Sequence, residues 1–261
     1  MTQATVIRPR ALTLRALRWE QRQTSLLPVI AVALFVGGLG ALIAAWSYHR
    51  YEGAFAAQDL TWEVVLLDGA QLPCTLFLPA GLAVFAAVDA ASAQRARRWQ
   101  RARSLDRAGV LLRAQFLRNL QRAAVTVTVL VVALAASAVF LGFGRGLLDG
   151  GLSILLGRGL AAVFCCWCVQ NVITTAGLWV REFAGLAALG LFGAILGLAS
   201  KLVLPTAGWA VPFATPAGAM VTASIQDLIS PVNMTGWALV GLAWTAVSYV
   251  VARRRAARME V

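Results

Sequence analysis

Few side chains in this chain of 261 residues are equipped for chemistry, and their spacing limits what they can do. Histidine occurs once, as His49 at the rim of an apolar run, with no second imidazole to share a metal and no Ser-His-Asp set to complete. The four cysteines, Cys74, Cys165, Cys166 and Cys168, fall inside apolar runs and read as small packing residues. A thiolate metal site at Cys165-Cys166-Trp167-Cys168 would need successive helical positions to point the same way. A phosphate loop of Walker A type needs its lysine after a glycine-rich turn, yet the one lysine, Lys201, follows Leu198-Ala199-Ser200. With no HExxH and no run of aspartates either, the expectation is that the chain is not an enzyme and binds no cofactor directly. Two polar sets remain. The first is Gln170, Asn171, Thr174 and Thr175, suited to adhesion between helices at about 0.6 to 2 kcal/mol each or to lining a substrate path. The second is the arginine-dense stretch 95–122.

The elements that must carry these sets are set by composition. Hydrophobic residues make up 60% and charged residues 13% of the chain, against about 25% charged in an ordinary soluble domain, and mean hydropathy is +0.75. A water-soluble globule is excluded. Six apolar segments, 26–47, 72–93, 123–143, 159–180, 183–204 and 234–252, are each long enough to cross ~30 Å at ~1.5 Å per residue. The net charge of +12 is explained by where the bases sit. With both termini cytoplasmic, the inner segments hold nineteen of the 23 bases against Glu20, Asp106, Glu182 and Glu260. The outer segments hold Arg50, Arg145, Arg158 and Lys201 against six acids. The positive-inside rule selects this orientation. The basic lead before the first span, and that span's length, argue against a cleavable signal peptide.

Ahead of the first span, 11–22 carries Leu12, Ala16 and Trp19 at helical spacing with Arg15, Arg18 and Arg22 on another stripe, the pattern of an interfacial helix. Pro73, Pro79 and Gly81 predict an irregular outer half of the second span. Gly190, Gly193 and Gly197 give the fifth a smooth stripe for close approach. The segment 205–231 is too apolar for a free loop and too rich in proline for a span, so its backbone groups need cover from protein; a re-entrant or interfacial arrangement follows. Within it, Met220, Val221, Ser224, Ile225, Leu228 and Ile229 predict one face of a short helix, with Pro216 as an early helical residue.

The stretch 95–122 is longer than a turn requires. Its arginines interspersed with Trp99, Leu105, Leu111 and Leu117 fit an anionic-lipid anchor, a nucleic-acid patch or a docking helix for a cytoplasmic partner. Nucleic acid ranks last, because Trp99 and Phe116 are the only aromatics and no recognition module is present.

An amphipathic N-terminal helix, six spans, a basic connection after the second and a proline-broken apolar segment between the fifth and sixth together resemble the small ABC-2-type permease subunits of bacterial ABC exporters. Those of lantibiotic immunity and antibiotic export are included. In that family an acidic residue near the inner end of span two precedes a short coupling helix. Here Asp89 followed by Trp99-Gln100-Arg101-Ala102-Arg103-Ser104 and then Asp106 and Arg107 takes that place, with no proline after it. Trp209, Pro212, Phe213 and Pro216 resemble the family's broken extracellular helix, the outer gate.

The resemblance implies an all-α integral membrane fold with an N-terminal interfacial helix, a cytoplasmic coupling helix and a broken re-entrant or extracellular helix. It implies a single domain over 1–261 in the bacterial cytoplasmic membrane. It also implies a dimer of ATP-binding subunits as partner, holding the ATP and Mg, and a second six-span permease subunit, identical or homologous. Membrane lipids surround the assembly, and no nucleic acid binds. The implied function is extrusion of a hydrophobic or amphipathic compound such as a peptide antibiotic or drug. The alternative is a non-transport membrane protein whose basic loop docks a cytoplasmic partner or anionic lipid.

Overall fold

Inside a bilayer no water satisfies peptide groups, so an apolar run can cross only as a helix or within a closed barrel. The computed structural model takes the first solution. It describes residues 27–57, 62–104, 108–203, 205–222 and 225–258, and contains no strand among them. The helices are α1 (Leu27–Ala57), α2 (Trp62–Leu72), α3 (Leu78–Arg95), α4 (Arg98–Ser104), α5 (Ala108–Phe140), α6 (Leu152–Ala176), α7 (Phe183–Val203), α8 (Thr215–Met220), α9 (Ile225–Ile229) and α10 (Pro231–Arg258). The interfacial helix expected over 11–22 lies outside the described residues.

Six helical segments are long and apolar enough to cross a membrane: Leu27–Tyr51, Leu66–Arg95, Ala108–Phe140, Gly144–Ala176, Phe183–Val203 and Pro231–Arg258. This is the architecture of a multi-pass membrane protein. The second, third, fourth and sixth differ from the expected spans chiefly in being longer. The third begins at Ala108, because Arg113, Arg118 and Arg122 continue the helix instead of ending it in a loop. The fourth begins at Gly144 and takes in Arg158. The second is joined from α2 and α3 through one π turn at Pro73–Phe77, where Leu78 N–H reaches Pro73 O five residues back. The ladder thus breaks where the prolines withhold N–H groups.

α6 is the central helix: α10 and α5 pack along it, and α3 and α8 cover further faces, while α1 lies along α5 and α3 along α7. The main core joins Leu66, Leu78, Leu82, Leu130, Leu134 and Leu155. The glycine stripe of α7 serves two neighbours. A Cβ at Gly190 would lie 2.7 Å from the Ala83 methyl of α3, and one at Gly197 would lie 2.8 Å from the Phe213 carbonyl carbon. The opposite face of α7 leaves Leu189, Leu191, Phe192, Ile195 and Leu196 exposed, an apolar surface suited to lipid.

The chain's two ends differ. α3, α6 and α10 finish, and α5 starts, around α4; we call this the arginine end. Residues 205–222 and 225–229 lie at the opposite end, between α7 and α10. The expected single helix from Met220 to Ile229 is two helices, because Val221 is extended (φ −113°, ψ 121°) and stops α8. Pro216 does occupy the first turn of α8.

Candidate functional site

At the arginine end, α3 turns into α4 over Ala96 and Arg97. Arg97 takes a left-handed φ of 49°, which costs a non-glycine residue about 1–2 kcal/mol. The turn is closed by Ala96 N–H to Ser92 O (3.0 Å) and Arg97 N–H to Gln94 O (2.9 Å). Beyond it the Trp99 indole is buried among Ala93, Leu111, Leu112, Phe116, Leu178, Ala252 and Ala256. Through this cluster the ring joins α4 to α3, to α5, to the turn after α6 and to the last turns of α10. Of the residues expected to couple to an ATPase, Trp99 faces inward and Arg101 outward. Arg103 and Ser104 lie on α4, and Asp106 and Arg107 are outside the described residues.

Burying an aromatic ring in such a site is worth ~3–5 kcal/mol against alanine. Trp99→Ala is therefore expected to accelerate amide exchange across Arg98–Ser104 by at least about tenfold, with mid-helix α5 and α6 unchanged. Trp99→Phe should retain most protection. Hydrogen exchange with mass spectrometry on the detergent-solubilised protein reads both, and an unaltered rate in Trp99→Ala would refute the fastening role.

Asp89 is engaged with α5. Its carboxylate, near the end of α3, pairs with Arg118 Nη2 at 2.7 Å and with Arg122 Nη1. The two arginines are one turn apart on α5, so they share a face. All three are buried. Sequence reading assigned both arginines to the basic connection; they are helix residues that meet a carboxylate on the neighbouring span.

Gln170, Asn171, Thr174 and Thr175 are buried on α6 and bonded to α5 and α10. Asn119 Nδ2 donates to Asn171 Oδ1 (3.0 Å) and to Thr174 Oγ1 (2.9 Å). Gln170 Nε2 donates to Asn119 O (3.0 Å), and Thr175 Oγ1 to Ser248 O (3.3 Å). Asn171 Nδ2 reaches Thr245 Oγ1 at 3.5 Å. This is the geometry of adhesion between helices. Sequence reading missed Asn119, the residue on which most of the network converges; its signal was an amide one turn from Gln115 and Arg122 in a stretch assigned to the basic connection and not to a span.

At the opposite end the governing residue is also one that the sequence hid. Arg158, expected among the outer charges, is fully buried. Its Nε and Nη2 donate to Leu228 O (3.0 Å each), and Nη1 to Ala219 O (3.1 Å) and to Asn233 Oδ1 (2.8 Å). Nη2 also donates to Asp227 O. The guanidinium thus collects carbonyls at the breaks around α8 and α9, where regular helix bonding is interrupted. A lone arginine between Gly157 and Gly159, entering an apolar run opposite a proline-broken segment, was the available signal. Around it, Phe213 is buried with its ring against Gly193, and Pro216 is buried in α8. Pro212 is half-buried, and Trp209 is exposed while its carbonyl accepts from Trp244 Nε1 at 3.0 Å.

Three cavities accompany these features. One of about 900 Å³ at the arginine end is walled by Arg95, Arg97, Arg181, Arg255 and Arg258 together with Trp99 and Trp179. An apolar groove of about 460 Å³ runs between Phe116, Trp167, Leu242 and Tyr249. A third, of about 480 Å³, lies between Asp68, Gln71 and Thr75 on one side and Lys201 and Thr222 on the other. None is lined by Gln170, Asn171, Thr174 or Thr175. The four cysteines are free and buried, and no cluster of metal-ligating side chains occurs among the described residues. No family model matches the chain, and no curated protein or solved structure matches it.

Proposed function

We propose that the chain is the membrane-spanning subunit of an ATP-driven exporter of the ABC-2 type. Two such subunits would rest on a separate pair of ATP-binding subunits in the bacterial cytoplasmic membrane, with both termini on the cytoplasmic side. The observation that carries the reading is α4: a seven-residue helix in a basic connection whose one buried ring holds it to several helix ends at once. A push on such a helix has to be shared by the helices it is fastened to, which is what rigid-body rocking requires. Arg101 is exposed on α4.

In this reading ATP and Mg stay in the partner, and α4 passes the closure of the ATP-binding pair to the bundle. The segment from Pro205 to Ile229, tied down by Arg158, caps the outer side with Trp209, Pro212, Phe213 and Pro216. Cargo is hydrophobic or amphipathic, a peptide antibiotic or drug, because most of the buried amide and hydroxyl groups of α6 are engaged with other helices. Such cargo enters more readily from the membrane leaflet than through water.

The test is copurification. A tagged chain, solubilised mildly from its own host, is expected to bring down an ATP-binding-cassette subunit. Arg101→Glu should lower the associated ATPase rate at least about fivefold through charge reversal at a contact, without lowering the melting temperature of the permease. If no ATPase copurifies, the reading gives way to a non-transport protein whose basic end docks a partner or lipid.

A further inference from the structure

The cavity at the arginine end has no place in that reading, and its lining is unlike that of the other two. Arg95 comes from the last turn of α3, Arg97 from the turn before α4, Arg181 from the turn before α7, and Arg255 and Arg258 from the end of α10. Three stretches remote in sequence thus bring five guanidinium groups to one space of about 900 Å³. Among the described residues no carboxylate lines it. Among the described residues none of the five forms an ion pair, whereas Arg118 and Arg122 both do. Glu182 follows Arg181 directly but is exposed and outside the lining.

Helix polarity accounts for part of this charge. α3 and α10 end here, and cations in a last turn are favourable, which covers Arg95, Arg255 and Arg258. It does not cover Arg97, which holds a left-handed backbone conformation in a turn, or Arg181, which follows the end of α6 by several residues. The cavity wall also holds Arg255 in place: its guanidinium lies 5.5 Å from the Trp179 ring centroid, and its Nε is buried with no acceptor. Gln94 Nε2 donates to Gly177 O at 2.8 Å, fixing the end of α3 against the turn that carries Trp179 and Arg181. Like charges converging on a built cavity, with a donor left over, describe a site complementary to a polyoxyanion.

We propose that this cavity is a binding site for a phosphate ester. Planar guanidinium forks match phosphate oxygens in pairs, and five of them exceed what one inorganic ion uses. The volume falls in the range of ligand sites, about 300–1,000 Å³, and accommodates a phosphodiester with its attached glycerol or a phosphorylated metabolite. Its place at the ends of membrane-crossing helices is where anionic headgroups lie. The inference does not rest on the exporter reading, since the cavity is formed by this chain alone.

The experiment is native mass spectrometry on the intact, detergent-purified chain titrated with dioleoyl phosphatidylglycerol, dioleoyl phosphatidylcholine or pyrophosphate. Phosphatidylglycerol is expected to be retained at least about tenfold more tightly than phosphatidylcholine. Arg181→Gln with Arg255→Gln is expected to abolish that preference, as is the exposed pair Arg95→Gln with Arg258→Gln. Arg253→Gln with Arg254→Gln removes the same charge from the exposed face of α10, outside the cavity, and is expected to leave binding within about twofold. Pyrophosphate bound with the same sensitivity to the cavity variants, and no preference between the lipids, would place the phosphate on a soluble ligand. Equal losses in the cavity and control pairs, or no retention of any phosphate probe beyond phosphatidylcholine, would overturn the proposal. Melting temperatures within about 2 °C of the parent chain show that the variants remain folded.

Discussion

Arg158→Leu is expected to lower the stability of the solubilised protein by about 3–5 kcal/mol, a fall in melting temperature of at least about 6 °C for a chain of this length. Leucine fills much of the space of the arginine stem, so little of the loss comes from a cavity. It comes from the acceptors. Leu228 O, Ala219 O, Asp227 O and Asn233 Oδ1 all take hydrogens from this one guanidinium, and a buried carbonyl left without a donor costs about 1–3 kcal/mol. Arg158→Lys separates geometry from charge. A lysine keeps the positive charge but presents three donors on one compact nitrogen, which cannot span acceptors from α8, α9 and α10 together. Lysine is thus expected to recover less than half of the lost melting temperature. Size-exclusion thermal-shift measurements read both variants. A leucine variant melting within about 1 °C of the parent would mean that Phe213, Met220 and Leu228 hold this segment by apolar packing alone.

The six crossings were legible because about twenty apolar residues in lipid have few backbone solutions. Their ends were less so. A hydropathy reading treats each arginine as a reason to stop a span, since it cannot see a carboxylate on another helix. Arg118 and Arg122 therefore closed the expected third span at 123, while in the fold Asp89 pairs with both and the helix continues down to Ala108. The same blindness put Arg158 in a loop. The need of 205–231 for backbone partners could be argued from its prolines, but the donor that meets much of that need comes from some sixty residues earlier in the chain.

The short helix α4 stands where sequence reading placed a coupling helix, yet the direction of its one tryptophan was not legible. Which face of a seven-residue helix turns inward is decided by Leu178 and Ala252, neighbours remote in sequence. The phosphate-ester cavity was illegible for a related reason. Its arginines looked like separate topogenic charges on two connections and on the segment after the last span, and only the common ending of α3, α6 and α10 gathers them.

The charge balance at Asp89 gives a second large effect, and one with an asymmetry that identifies its cause. Asp89, Arg118 and Arg122 form a buried group with one excess positive charge. Asp89→Asn leaves two guanidinium groups one turn apart with no anion, and breaking a buried pair from one side costs about 3–5 kcal/mol. Arg118→Gln has the opposite consequence: the Asp89–Arg122 pair survives and the excess charge is gone, so a loss under about 1 kcal/mol is expected. Asp89→Asn combined with Arg122→Gln should recover part of the single-variant loss, because the repulsion between the arginines is removed with the pair. Melting temperatures of the parent, Asp89→Asn, Arg122→Gln and the double variant, run as a double-mutant cycle, supply the coupling. Equal losses for Asp89→Asn and Arg118→Gln would show that the group is a hydrogen-bonding bracket and not a charge triad. The triad joins the end of α3 to α5, the two helices that α4 connects. A force on α4 therefore reaches a braced pair of spans, and weakening the brace is expected to uncouple them before it unfolds either.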